Sequence, residues 1–407
     1  MSEPLPTEFI LKPGPDPHPA NAELRSRCPV HKVDYPAGAE AYLVMDYEHV
    51  NSAFSDPRLS KRVDNAPGWY RERALANSPV MTRNLLVSDP PEHTRLRKLV
   101  SRAFLPRRIE ALRPRIQEIT DDLIDSLPES GEVDLMDAFA IPLPLTVICE
   151  SLGVPFADRP LFEAWGRVLS QSPNQLGDAD RRRKEVNDEV DEYFGRTLRE
   201  RRAALGDDLM SDLIRTADAD GRYTPEELIT TTTFLIIAGH KTTANLIGNG
   251  TVLLLTHKEQ FDLLRSDPGL VETAVEEFLR YEGSVDRASL RVTTEDVRLG
   301  GVDIPKQSFV HLSVCSADRD PAVFEDPDRF DITRTPNHHM AFGFGAHFCP
   351  GAPLARLEGQ VAFPTLLRRL RGLELTVAPE ELAWLEDSST SRGVETLPVR
   401  FEKKLPR

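Results

Sequence analysis

One cysteine stands in a glycine-rich stretch, AFGFGAHFCPGAPLARLEGQVAF, at residues 341–363. Gly343, Gly345 and Gly351 surround Cys349. Glycine lets a backbone pass close to a flat group and take φ values that other residues avoid. A sulfur just before a helix meets free N–H groups, which favour the thiolate. A lone cysteine in such a turn is more often a buried structural residue. The spacing F-x-x-G-x-H-x-C-x-G, met by Phe342, Gly345, His347, Cys349 and Gly351, reverses that balance. A thiolate fixed by such a loop is a good axial ligand for haem iron.

A second stretch, LIIAGHKTTANLIG at 235–248, places Lys241 before the pair Thr242 and Thr243. A phosphate loop needs G-x-x-x-x-G-K-S/T after a strand. Here His240 separates Gly239 from Lys241 within a helical pattern, so the phosphate reading is set aside. Thr242 can bond back to the carbonyl of Ala238, and Gly239 weakens the helix there, so a kink is expected.

Several elements must position these groups. The segment from Thr224 opens with a cap, a proline and Glu227, and the helix it starts runs for about 30 residues at 1.5 Å each. Residues 91–213 are mostly helical by apolar spacing. Residues 39–60 read as one or two short strands and a helix. Residues 1–35 read as irregular and 61–87 as a long connection. Strand-like segments follow Arg280, a helix follows Cys349, and short strands end the chain. The fold class is mainly α with minor β, in one domain over residues 1–407.

Composition narrows the function classes. With 407 residues and a formal net charge of −15, nucleic acid is a poor main partner. The four cysteines, Cys28, Cys149, Cys315 and Cys349, form no CxxC pair. That pattern suits a reducing compartment. No apolar run of ~18 residues and no signal peptide are visible, so the cytoplasm is the expected setting.

The cysteine motif resembles that of the cytochrome P450 family of haem-thiolate monooxygenases, and the likeness runs from about residue 39 to 402. Glu277 and Arg280 match the family's E-x-x-R pair, and Arg329 is assigned as the later arginine of that structural network. His93 and Arg97, four residues apart on one helix face, resemble the haem-carboxylate helix. Arg291 matches the following arginine, and His347 completes the set. Ala238, Gly239, Thr242 and Thr243 match the oxygen-handling motif, whereas Lys241 occupies the position of its acid. A lysine donates but cannot accept a proton while charged, and burial lowers its pKa. It can pair with a distant carboxylate, hold a water chain, or leave the relay to the substrate.

The resemblance implies a single haem-enclosing domain, haem b (iron protoporphyrin IX), O2, and NAD(P)H acting through a separate ferredoxin and ferredoxin reductase. It implies hydroxylation or epoxidation of a lipophilic secondary metabolite, first of all a macrolide or other polyketide, by a monomer. A haem ligand sensor without turnover and a peroxide-driven haem oxidase remain as alternatives. The implied pocket spans residues 61–87, 165–185, 284–290 and 388–393. Leu85, Leu86, Phe234, Leu235, Val285 and Ser391 are its candidate lining, with Trp69, Met81, Asp286 and Arg287 nearby. Residues 93–115 hold eight Lys or Arg and one acid. Lys98, Arg102, Arg107 and Arg108 are candidates for docking an acidic ferredoxin.

Overall fold

The computed structural model describes residues 4–7, 9, 14–35, 39–77, 82–102, 104–169, 178–385 and 390–404. Its principal helices are α1 (His18–Arg27), α2 (Tyr47–Ser55), α3 (Gly68–Asn77), α4 (Glu92–Ser101), α5 (Arg113–Ser126) and α6 (Pro142–Ser151). They continue with α7 (Arg159–Leu169), α8 (Asp178–Ala203), α9 (Leu209–Asp220), α10 (Pro225–Thr256), α11 (Val271–Tyr281) and α12 (Ala352–Arg369).

The strands are β1 (Val30–Asp34), β2 (Glu40–Val44), β3 (Leu59–Ser60), β4 (Ser130–Asp134) and β5 (Arg291–Thr293). The rest are β6 (Val297–Leu299), β7 (Val302–Ile304), β8 (Phe309–Leu312), β9 (Leu370–Leu375) and β10 (Pro398–Lys403). One sheet runs β1-β2-β8-β5-β3, a second β4-β10-β9, and β6 pairs with β7. In the first sheet only β2 and β8 are parallel.

The long central helix α10 starts as its sequence dictates. Thr224 Oγ1 accepts from Glu227 N at 3.1 Å, and Glu227 Oε2 accepts from Thr224 N at 2.9 Å. These bonds satisfy two amides that a bare helix start leaves unpaired. The helix then packs against α6, α8 and α12. Ile236, Ile247 and Val252 enter the main core with Phe139, Phe194 and Leu357. A fully buried side chain of this size contributes about 1.5–3 kcal/mol. No described helix is long and apolar enough to cross a membrane.

Two readings of the sequence are corrected. The irregular start contains α1 and β1, and the connection at 61–87 contains α3. Both helices are too polar to show an apolar period, and tertiary contacts hold them. Arg25 of α1 donates to Ser316 O at 2.7 Å. Trp69 and Tyr70 of α3 meet the Phe309 ring at 6.2 and 5.1 Å between centroids.

Candidate functional site

Cys349 ends a loop whose shape depends on its glycines. Gly343 and Gly345 have φ of +72° and +70°, where a side chain strains the backbone. A Cβ on Gly345 would also lie 2.7 Å from Ser55 Oγ. The loop closes through Cys349 N donating to Phe342 O at 2.9 Å. The Gly351 and Ala352 amides at the start of α12 lie near the sulfur and favour its thiolate form. Burial raises the thiol pKa; these amides and the Arg97 and Arg356 charges oppose that rise.

Five basic side chains converge beside this loop. His93 and His347 lie ring to ring, 4.0 Å between centroids. Arg97 Nη1 donates to Phe348 O at 2.6 Å, tying α4 to the cysteine loop. Arg291, on β5, is buried over the Phe54 ring of α2, 4.9 Å from its centroid. Lys61, just past β3, is buried too, and its backbone N donates to Asp89 Oδ1 at 3.0 Å.

The electrostatics of this cluster are unbalanced. Burial pushes His347 down to about 2, reinforced by Lys61, His93, Arg291 and Arg97. Burial pushes Arg291 down to about 10 and Lys61 well below the usual lysine range, with Asp89 the acid opposing both. His93 is lowered by burial and by Arg97 and Lys61. Arg291 Nη2 and His93 Nε2 are buried without a hydrogen-bond partner. Buried donors and same-sign charges are costly unless a partner completes them. The cluster therefore fits a group carrying two carboxylates, and the glycine loop beside it fits a flat one.

The central helix α10 is continuous through Gly239, not the kinked helix that its sequence predicts. Thr242 Oγ1 donates to Ala238 O at 2.8 Å, and Thr243 Oγ1 to Gly239 O at 3.1 Å. Both hydroxyls bond back without breaking the helix. Between Thr230 and Leu254 every residue is buried except Phe234, Ala238, Gly239, Lys241 and Thr242. At about 100° per residue these five form one stripe, which marks the open face of the helix.

A second charged cluster sits apart. Arg280 donates through Nε and Nη2 to both oxygens of Glu277, each at 2.8 Å. Its Nη1 donates to Asp318 O at 3.0 Å and Pro327 O at 2.8 Å. The third member is Arg334, whose Nε reaches Glu277 at 3.3 Å. Arg329 does not join: its side chain is exposed and pairs with Asp331, and only its carbonyl accepts from Arg280 and Arg334.

The pocket candidates divide. Leu86, Phe234, Val285 and Ser391 are partly exposed, and Val285 bridges Ser391. Leu85 and Leu235 are instead buried in the main core; Leu235 is turned about 100° from Phe234. Trp69 packs edge-on against Tyr70. Asp286 and Arg287 are buried, 3.2 Å apart, and Arg287 donates to Phe9 O. Met81, residues 170–177 and 388–389 lie outside the described residues. Lys98, Arg102, Arg107 and Arg108 are exposed, Arg108 paired with Asp212. Sequence reasoning missed Lys61 and Arg334. Nothing in spacing marks Lys61, and Arg334 is one of several arginines near Arg329.

Comparisons with known proteins give the following similarities. The family model Cytochrome P450 matches residues 164–386. The chain is 45% identical to Cytochrome P450 monooxygenase PikC of Streptomyces venezuelae, over 95% of this chain and 92% of that one. It is 43% identical to 6-deoxyerythronolide B hydroxylase of Saccharopolyspora erythraea, over 94% and 95%. Among solved structures, CxnD, a cytochrome P450 for C–S bond formation in chuangxinmycin biosynthesis, is 56% identical with a TM-score of 0.96. That match covers 100% of this chain and 99% of CxnD.

Proposed function

The chain belongs to the cytochrome P450 family of haem-thiolate monooxygenases, and from that premise we propose that it oxidises a lipophilic secondary metabolite, a macrolide or other polyketide, by hydroxylation or epoxidation. The enzyme works as a cytoplasmic monomer in this reading. Electrons come from NAD(P)H through a ferredoxin and its reductase. The similarity to PikC and 6-deoxyerythronolide B hydroxylase supports the substrate class.

One observation carries the site assignment. Five basic groups converge with buried, unpartnered polar atoms beside a sulfur whose thiolate form two nearby amides favour. Cys349 is the metal ligand in this reading. His93, Arg97, Arg291 and His347, joined by Lys61, hold the two carboxylates of the haem. When bound, the haem supplies the metal centre at which O2 is reductively activated. Phe342, Gly345 and Gly351 let the backbone lie against it.

The chain's own residues handle protons and substrate. The Thr242 hydroxyl donates to Ala238 O, which leaves its oxygen lone pairs facing the open stripe as acceptors. It can take a proton from water and pass it on. Thr243 is buried and fixes the helix at Gly239. Phe234, Leu86 and Val285 give apolar contact, and Ser391 a hydroxyl. Lys98, Arg102 and Arg107 are exposed, with exposed Leu105, Phe344 and Phe348 on nearby segments. That mixture of charge and apolar surface suits an acidic electron donor.

A second reading is oxidative coupling within the substrate in place of oxygen insertion. Lys241, where the family's acid belongs, and the similarity to CxnD favour it. The absorbance of the reduced, carbon monoxide-bound protein tests the common premise. A thiolate-type band lost in Cys349→Ser is expected; a spectrum without thiolate character contradicts the assignment. Turnover of a polyketide panel with labelled O2 then separates the readings. Product carrying the label supports insertion, and unlabelled cyclised product supports coupling.

A further inference from the structure

Lys241 lies at one edge of the open stripe of α10; Phe234, Ala238 and Thr242 follow around the helix, with Gly239 at the far edge. Among the described residues its ammonium makes no hydrogen bond and no ion pair. The one charge that acts on it is Glu395, an exposed residue at the end of the segment leading to β10. Burial lowers its pKa, and Glu395 only partly opposes that. The same segment closes over the next turn of the helix, where a Cβ on Gly393 would meet Asn245 at 2.5 Å. Two residues earlier, Ser391 bridges Val285. Lys241 thus sits where three candidate pocket segments meet. His240 points elsewhere: its Nδ1 bonds Ile236 O, and its ring lies against Gly166 of α7.

A half-buried ammonium without a partner is costly. In most chains of this size such a lysine would turn to solvent or to a carboxylate of the protein. Here it stays on the partly open face of the helix, beside the candidate pocket segments. A substrate anion would complete it, because a charge-assisted bond is stronger in a partly dry site. The balance fits a monoanion. One ammonium neutralises one negative charge, whereas a dianion would leave excess charge beside Phe234 and facing Glu395.

We infer that Lys241 is a substrate-anchoring residue and that the substrate of this enzyme carries a carboxylate. This rests on the site proposed above and names the class of molecule that enters it. The anchored carboxylate fixes the substrate's far end, so the carbon skeleton between it and the apolar residues sets which atom is presented for oxidation. The lysine then has no part in the proton route, which passes through Thr242 and water.

Imidazol-1-yl alkanoic acids of increasing chain length, each paired with its methyl ester, test this. An azole binds haem iron through its ring nitrogen and shifts the absorbance, so binding is read without turnover. At least one acid in the series is expected to bind roughly tenfold or more tighter than its ester. Lys241→Met should erase that preference and leave ester binding unchanged, while Lys241→Arg should keep much of it. Equal binding of acid and ester at every length overturns the proposal. So does an acid preference that survives in Lys241→Met, which would place the anion on another cation. The haem spectrum of each variant before addition reports the fold and the Cys349 assignment independently, so failure of the site and failure of the anchor look different.

Discussion

Two charged clusters in this protein have opposite character. Around Glu277, the acid accepts from Arg280, Arg334, Asn337 and the Asp331 amide, and Arg280 spends its remaining donors on carbonyls. Around His347, five basic groups face Asp89, and donors on Arg291 and His93 stay empty. In the first cluster both oxygens of the acid and the donors of Arg280 are answered within the protein. The second is complete only when a dianion arrives. A charged cluster whose bonds close on themselves organises a fold, and one left open with a single sign is built for a ligand.

Removing one member of the closed cluster should have the largest effect. Glu277→Gln leaves buried Arg280 without its carboxylate partner and should cost about 3–5 kcal/mol. Denaturant unfolding of apo- and haem-loaded protein should show that loss in both forms. A loss confined to the loaded form would erase the contrast between the clusters.

Asp318 links the closed cluster to the cysteine loop. Its carbonyl accepts from Arg280, and its Oδ1 accepts from Met340 N at 2.7 Å. Its Oδ2 is buried without a partner. Burial raises this carboxyl from 3.8 to about 7. The folded state therefore keeps a proton that the unfolded state gives up. No stability is lost below the unfolded value; it falls as pH rises from about 4 to about 7, then stays level. Asp318→Asn should be more stable than the parent by roughly 2–4 kcal/mol at pH 8, with no difference near pH 3. A constant gap across pH would mean that the carboxyl does not titrate.

Thr242→Ala removes a side-chain hydroxyl that bonds back to Ala238 O and costs about 1 kcal/mol or less in stability. Peroxide released per NAD(P)H consumed should rise. Unchanged coupling would move the proton route to substrate or water alone.

The legibility of these regions in sequence follows their chemistry. Cys349, Gly345 and His347 lie within a few residues, so their joint role is visible in spacing. His93 and Arg97 share a helix turn and are visible for the same reason. Lys61 reaches the cluster only through the β3–β5 pairing, which no local pattern announces. What separates Arg334 from the assigned Arg329 is side-chain direction in an irregular loop, where no helical or strand period applies. The polar helices α1 and α3 were unreadable because their folding depends on contacts with distant residues. On α10 the cap and apolar run gave the helix, but its open face emerged only from burial.

The contrast between the clusters stands or falls on Arg291→Met, measured as haem release to an acceptor protein and as thermal unfolding of the apo-protein. Haem should leave roughly tenfold faster or more, while the apo-protein becomes more stable by about 1 kcal/mol or more, because a buried charge with no direct ion pair and an empty Nη2 is gone. An apo-protein destabilised by the change, with haem release unaltered, would make Arg291 a structural residue and contradict the account.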